Sequence, residues 1–188
     1  MIQQRPLLPI LLLLGLFPFQ GNLSAAPAKS AITSKETKAI AKPPAANSSE
    51  IQARQFFDQI AGKWSGKGTS SGMDIQDLLT LSWTLDKRFL KFHFGAREGD
   101  SFTAEGYFWY NPQKASCEFY EFNNGEWPIR ILSGSLQGNT LTLREKTEDR
   151  HVQLTIGKNA DGTLSLEEAF VQEKGLTPFV NEIFNRVK

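Results

Sequence analysis

From Gly62 onward the chain shows apolar residues at every second position, in short runs separated by turn residues. Leu90, Phe92 and Phe94 alternate with polar neighbours. So do Trp83 and Leu85, Ile129 and Ile131, Leu141 and Leu143, and then Val152, Leu154 and Ile156. In one stretch Tyr107 and Trp109 stand opposite Phe108 and Tyr110, so both phases are aromatic. A period of two belongs to strands with a buried face. The breaks carry turn chemistry: Asp86-Lys87, Glu98-Gly99-Asp100, Asn111-Pro112, Asn123-Asn124-Gly125, Gly138-Asn139 and Asp161-Gly162. Such strands joined by tight turns predict an antiparallel meander of about ten strands. A sheet of that length, without crossover helices, loses its exposed edges by closing on itself. The expected fold class is therefore all-β: an up-and-down antiparallel barrel of about ten strands, with an interior that admits a small ligand. A short helix is expected before it. Ile51, Phe56, Phe57 and Ile60 have helical spacing, Ser48 or Ser49 offers a cap, and Gly62 a stop.

The N-terminal part of the chain reads differently. Met1 to Phe19 holds one charge, Arg5, and a dense apolar run from Leu7 to Phe17, too short to span a bilayer comfortably. Small residues follow, and Ala26-Pro27-Ala28 has the A-x-A form of a cleavage site. The order matches a secretory signal peptide over residues 1–28. No cysteine lies near that point to accept a lipid. Residues 29–50 are rich in Ala, Lys, Ser and Pro without apolar period, a composition that cannot bury enough surface to offset chain entropy. They read as a flexible linker, leaving 51–188 as the folded domain. The expected location is exported, periplasmic or secreted, with no transmembrane segment after the signal.

From Ile51 the chain carries 16 Lys and Arg against 18 Asp and Glu, a net charge of −2. That balance argues against nucleic acid as a partner, which needs clustered positive charge. Cys117 is the single cysteine, so no intrachain disulfide forms and the core alone must hold the domain. Four Trp and fourteen Phe in the whole chain, all but Phe17 and Phe19 of them after Ile51, supply material for such a core.

Gly62-Lys63-Trp64-Ser65-Gly66-Lys67-Gly68 is similar to the G-x-W-x-G-x-G opening of nitrobindin-like haem-binding proteins of the calycin superfamily, which also holds lipocalins and fatty-acid-binding proteins. Thr103-Ala104-Glu105-Gly106-Tyr107 resembles that family's central strand, and Leu176-Thr177-Pro178-Phe179 through Phe184-Asn185-Arg186-Val187 its closing strand. The same stretch resembles lipocalin-like domains of bacterial envelopes. The resemblance implies a barrel end plugged by Gly62, Trp64 and Arg186, with the arginine packed against the indole as a cation–π contact. It also implies a haem site. The place of its axial histidine, however, holds Phe179, whose phenyl ring has no lone pair for iron.

The residues themselves offer little catalytic chemistry. His93 and His151 are the only histidines, in separate strands, and their spacing makes no zinc site. No metal site is expected. Gly62 to Thr69 departs from the P-loop spacing and lacks its strand and helix. Gly157 to Glu168 matches several calcium-loop positions, but a hairpin turn at Asp161-Gly162 explains the same letters. Cys117 lies in a strand and reads as packed rather than nucleophilic. Glu105, Glu118 and Glu121 are the carboxylates that would anchor a ligand if any pointed inward, and burial would then raise its pKa.

The aromatic strands supply the main functional expectation. Phe92, Phe94, Phe108, Trp109, Phe119 and Phe179 are the candidate lining of an apolar pocket, with Tyr120 and Phe122 beside them. The same rings would equally fill a packed barrel. The leading expectation is a non-enzymatic, exported barrel for a small hydrophobic molecule. The alternatives are a haem protein with redox chemistry on nitrogen oxides, and a structural envelope protein that binds a partner through its linker.

Overall fold

The computed structural model describes residues 47–96, 102–126, 128–147 and 150–188. The segment read as signal peptide and most of that read as linker lie outside these residues, as does the Glu98-Gly99-Asp100 turn.

The chain enters through α1 (Ser48–Ile60). Its N-cap is Asn47, not Ser48 or Ser49: the Asn47 side-chain oxygen accepts a hydrogen bond from the Glu50 N–H at 2.8 Å. Glu50 also pairs with Arg54 one turn on, at 2.9 Å. Ala53, Phe56, Phe57 and Ile60 form the buried face. The helix thus takes in Ser48–Glu50, which composition alone had placed in the linker.

Eleven strand segments follow: β1 (Gly62–Ser70), β2 (Met73–Ile75), β3 (Asp77–Thr84), β4 (Phe89–Ala96), β5 (Thr103–Asn111), β6 (Ser116–Asn123), β7 (Ile129–Gln137), β8 (Thr140–Lys146), β9 (His151–Lys158), β10 (Leu164–Gln172) and β11 (Gly175–Arg186). All pairings are antiparallel, each strand beside its sequence neighbour, and β11 returns to pair with β1. β2 and β3 share one position, pairing with opposite ends of β1 across a break at Gln76. The result is a closed ten-stranded antiparallel barrel, all-β apart from α1. This architecture is compatible with the calycin and lipocalin fold.

One phase of each strand faces the interior. Leu79 and Leu81, Leu90 and Phe92, Phe108, Phe119, Leu132, Leu141 and Leu143, Leu154 and Ile156, Leu164 and Leu166, and Phe184 form one continuous core. Phe108 and Phe119 stack at 4.0 Å, and Phe92 meets both edge-on. Two expected phases are reversed or broken. Ile129 and Ile131 face solvent while Arg130 and Leu132 point inward. Leu85 is not in a strand; with Asp86 and Lys87 it makes a turn of positive φ (49°, 54° and 59°).

α1 closes one end of the barrel. Phe57 packs on Trp83 and Phe108, and Asp58 accepts a hydrogen bond from the Trp83 indole at 2.8 Å. Arg54 donates to the Lys87 carbonyl in the β3–β4 turn at 2.8 Å. The closing strand is tied in at the same end. The Arg186 guanidinium lies 4.3 Å from the Trp64 ring centroid and donates to the Ala61 and Gln59 carbonyls at 2.9 and 2.8 Å. Those carbonyls end the helix, where positive charge is favoured. Trp64 in turn donates to the Ile60 carbonyl at 2.8 Å. Gly62, with φ 148°, leaves no Cβ in the space the Arg186 guanidinium occupies.

Candidate functional site

The barrel end away from α1 is built otherwise. Followed one step past the core in the inward phase, six strands reach a charged side chain: Asp77 before Leu79, Glu121 after Phe119, Arg130 before Leu132, Glu145 after Leu143, Glu168 after Leu166 and Glu182 before Phe184. Neighbouring strands run antiparallel, so these positions fall in one layer. Among them Asp77, Glu121, Arg130, Glu145 and Glu182 are each less than a tenth exposed. A buried charge is costly unless it is paired.

Most of the layer is paired around Arg130. Its guanidinium meets Glu168 at 3.1 Å, Glu121 at 3.5 Å and Glu145 at 3.5 Å. Arg150 also binds Glu145, and Asn123 donates to Glu121 at 2.6 Å. Although burial opposes its charge, these carboxylates hold Arg130 protonated and push its pKa above the ordinary value. Burial, with Glu168 adding to it, raises the Glu121 carboxyl against the pull of Arg130 and Asn123. Two guanidinium nitrogens, Nε and Nη2, have no hydrogen-bond partner among the described residues.

Across the barrel, Asp77 and Glu182 meet as two carboxyl groups. Glu182 is fully buried, and its carboxyl hydrogen-bonds with that of Asp77. Burial and the neighbouring Asp77 push its pKa up to about 8. Two carboxylates at close range ionise together only with difficulty, and a shared proton relieves them.

A cavity of about 250 Å³ opens between these two groups. Phe92, Phe94, Phe102 and Phe179 give it aromatic walls, with Ala104, Leu166 and Val180 beside them and Asp77, Glu121, Arg130 and Glu168 as polar contacts. Of the candidate lining residues, Phe92, Phe94 and Phe179 therefore reach this cavity. Phe108 and Phe119 are fully buried and pack beneath it toward the helix. Trp109 is corrected to the outer face: it alternates with Phe108, stacks near Phe89 and donates to Glu118 at 3.1 Å. Phe122 is half exposed on that outer face.

Of the three flagged carboxylates only Glu121 points inward. Glu105 is exposed, within 3.2 Å of His93 and 3.3 Å of Lys91. Glu118 lies outside the barrel yet covered, taking hydrogen bonds from Trp109, Asn111, Lys114 and Tyr120. Burial would raise its pKa, but Lys114, Tyr120 and Asn111 together outweigh burial and lower it. The Asp161 carboxylate is spent on Thr163, whose N–H and hydroxyl it accepts at 2.9 and 2.7 Å, closing the β9–β10 hairpin. Cys117 is buried, and burial pushes its pKa up to about 11, far from a reactive thiolate.

A haem does not fit the lining residues. Among the described residues no His, Cys, Met or Tyr lines the cavity; Phe179 does, its ring stacked 4.5 Å from Phe170, while His93 and His151 are exposed. Among the described residues no group of His, Cys, Asp and Glu is arranged to hold a metal ion, and no helix is long and apolar enough to cross a membrane.

Sequence reasoning missed Asp77, Arg130, Glu145, Glu168 and Glu182. The signal that finds them is positional, since each continues the inward phase of its strand by one step of two. Compared with known proteins, the chain matches no family model and no curated protein.

Proposed function

We propose that this chain is an exported, non-enzymatic barrel that holds a small hydrophobic molecule in the cavity opposite α1. One observation carries the reading. The helix end of the barrel is packed solid with side chains, whereas the other end keeps an aromatic-walled space over a layer of polar groups. Concave apolar sites with a few fixed polar groups are the usual form of small-molecule sites, though most exceed roughly 300 Å³. A volume of about 250 Å³ suits a single ring with a short chain rather than a long lipid or a tetrapyrrole. Export rests on the leader-like order of residues 1–28.

Native mass spectrometry of the freshly purified full chain tests the reading. A small-molecule adduct, absent from an Ala104→Trp variant whose new indole fills the cavity, is the expected result. An adduct equally present in both would place the molecule elsewhere. A bare polypeptide mass that stays bare after incubation with indole would overturn the reading.

A further inference from the structure

We propose that the cavity selects a neutral molecule: a single ring bearing a carbonyl oxygen, its ring held by Phe92, Phe94 and Phe179 and its oxygen by the Arg130 guanidinium. This rests on the ligand-binding reading above and names the ligand's class.

The first support is an unmatched donor in the wall. Arg130 lines the cavity and is only 5 % exposed. Its Nη1 donates to Glu168 and Glu121, whereas Nε and Nη2 are buried and find no acceptor among the described residues. Nε lies 3.5 Å from Glu145, near enough for attraction between charges but without a hydrogen bond. Buried donors are nearly always satisfied, so a cavity whose wall holds such a guanidinium has a place for an acceptor. Its polar neighbours in the wall are already engaged. Asn123 donates to Glu121 and accepts from the Gly125 N–H at 2.9 Å, and Glu121 and Glu168 accept from Arg130.

The second support is charge, which decides the kind of acceptor. Glu168, Glu121 and Glu145 already stand 3.1, 3.5 and 3.5 Å from the guanidinium. A carboxylate ligand would bring a further negative charge against these three in a site shielded from water, where like charges repel strongly. An ammonium has no acceptor to offer and would meet a guanidinium of its own sign. A carbonyl oxygen accepts N–H without adding charge, and a hydrogen bond from a charged donor is stronger than one between neutral groups.

The walls set the body of the molecule. Phe92 and Phe94 lie parallel at 6.0 Å, Phe102 meets Phe94 edge-on, and Phe179 is backed by Phe170 at 4.5 Å. Aromatic side chains so placed offer both faces and edges to another ring.

The experiment is titration of the full chain with three molecules of similar shape: acetophenone, ethylbenzene and benzoate. Calorimetry should find acetophenone bound at least about tenfold more tightly than ethylbenzene, and benzoate most weakly. With 15N-labelled arginine, the Arg130 guanidinium signals should shift on addition of acetophenone and stay in place with ethylbenzene. Arg130→Lys keeps a positive charge for the carboxylates but loses the planar fork, so acetophenone should fall to the affinity of ethylbenzene, itself unchanged. Equal binding of acetophenone and ethylbenzene would mean that water meets the free N–H groups, and would overturn the carbonyl proposal while leaving the ligand-binding reading standing. Tightest binding of benzoate would do the same. If none of the three binds, both fall. The ligand comparison on the unaltered chain decides the matter even if the variant fails to fold.

Discussion

Trp64 does three things at once. It fills the helix end of the core, donates to the last turn of α1, and offers its ring to Arg186. Replacing it with alanine should cost roughly 3–5 kcal/mol, the usual range for a large buried aromatic. Arg186→Ala removes a cation–π contact and two hydrogen bonds to helix-end carbonyls, but from an exposed site, so about 1–2 kcal/mol is expected. Because the two residues touch, chemical denaturation of the double mutant should show losses that do not add. Strict additivity would mean that the contact is not energetically real.

Glu182 yields a second prediction at this scale. Asp77 meets it from β3, and on the flanking strands it stands opposite Gly68 of β1 and Leu166 of β10. Its carboxyl holds its proton up to about pH 8 when folded, against 4.5 for an unperturbed group. Between these values the unfolded chain releases a proton that the native state keeps. Stability should therefore fall as pH rises through this window, by up to roughly 1.4 kcal/mol per pH unit, and level off above it. Glu121 is raised too and adds to the same slope. Urea midpoints measured across that range should show the fall, and Glu182→Gln should flatten it. An unchanged slope in the variant would assign the proton elsewhere. Residue identity announced Trp64, through the motif around it, but not Glu182. A lone glutamate among polar neighbours has no local mark of burial.

At the scale of elements, alternation carried most of the fold. Leu141 and Leu143, or Val152, Leu154 and Ile156, stand against polar partners, so only one phase can face the core. The method fails where both phases are apolar. Ile129, Ile131 and Leu132 leave β7 undecided, and its pairing with β6, which sets Arg130 opposite Glu121, decides it. Trp109 is the same case, since Phe108 competes for the interior and wins. Leu132→Ala should accordingly cost about 2–5 kcal/mol, whereas Ile131→Thr should change stability by less than about 0.5 kcal/mol. Thermal unfolding of the two variants checks the phase, and a large loss at Ile131 with none at Leu132 would reverse it. The charged layer escaped for a related reason. Alternation is recognised by its apolar members, and Asp77, Glu145 and Glu168 each end the run that would have revealed them.

The whole domain has a polarity that no single strand shows. α1 and the Trp64–Arg186 contact seal an apolar end, and the buried charges gather at the other beside the cavity. Closure and topology were legible, because turns and strand lengths fix a meander. Which end stays hollow was not, because it depends on side-chain volumes summed over ten strands. Export belongs to this scale as well. Intact mass of the secreted product should place the mature N-terminus between Ala26 and Lys29, and a full-length mass in the external fraction would contradict cleavage there. The central claim is that the charged end of the barrel takes up a small apolar molecule. Methyl NMR during titration with indole tests it most directly. The account predicts saturable shifts at Ala104, Val180 and Ile75, which line the cavity, little change at Leu90 and Leu141 near the helix, and loss of the response in Ala104→Trp. Silence at those three methyls, or shifts centred on the helix end, would contradict it.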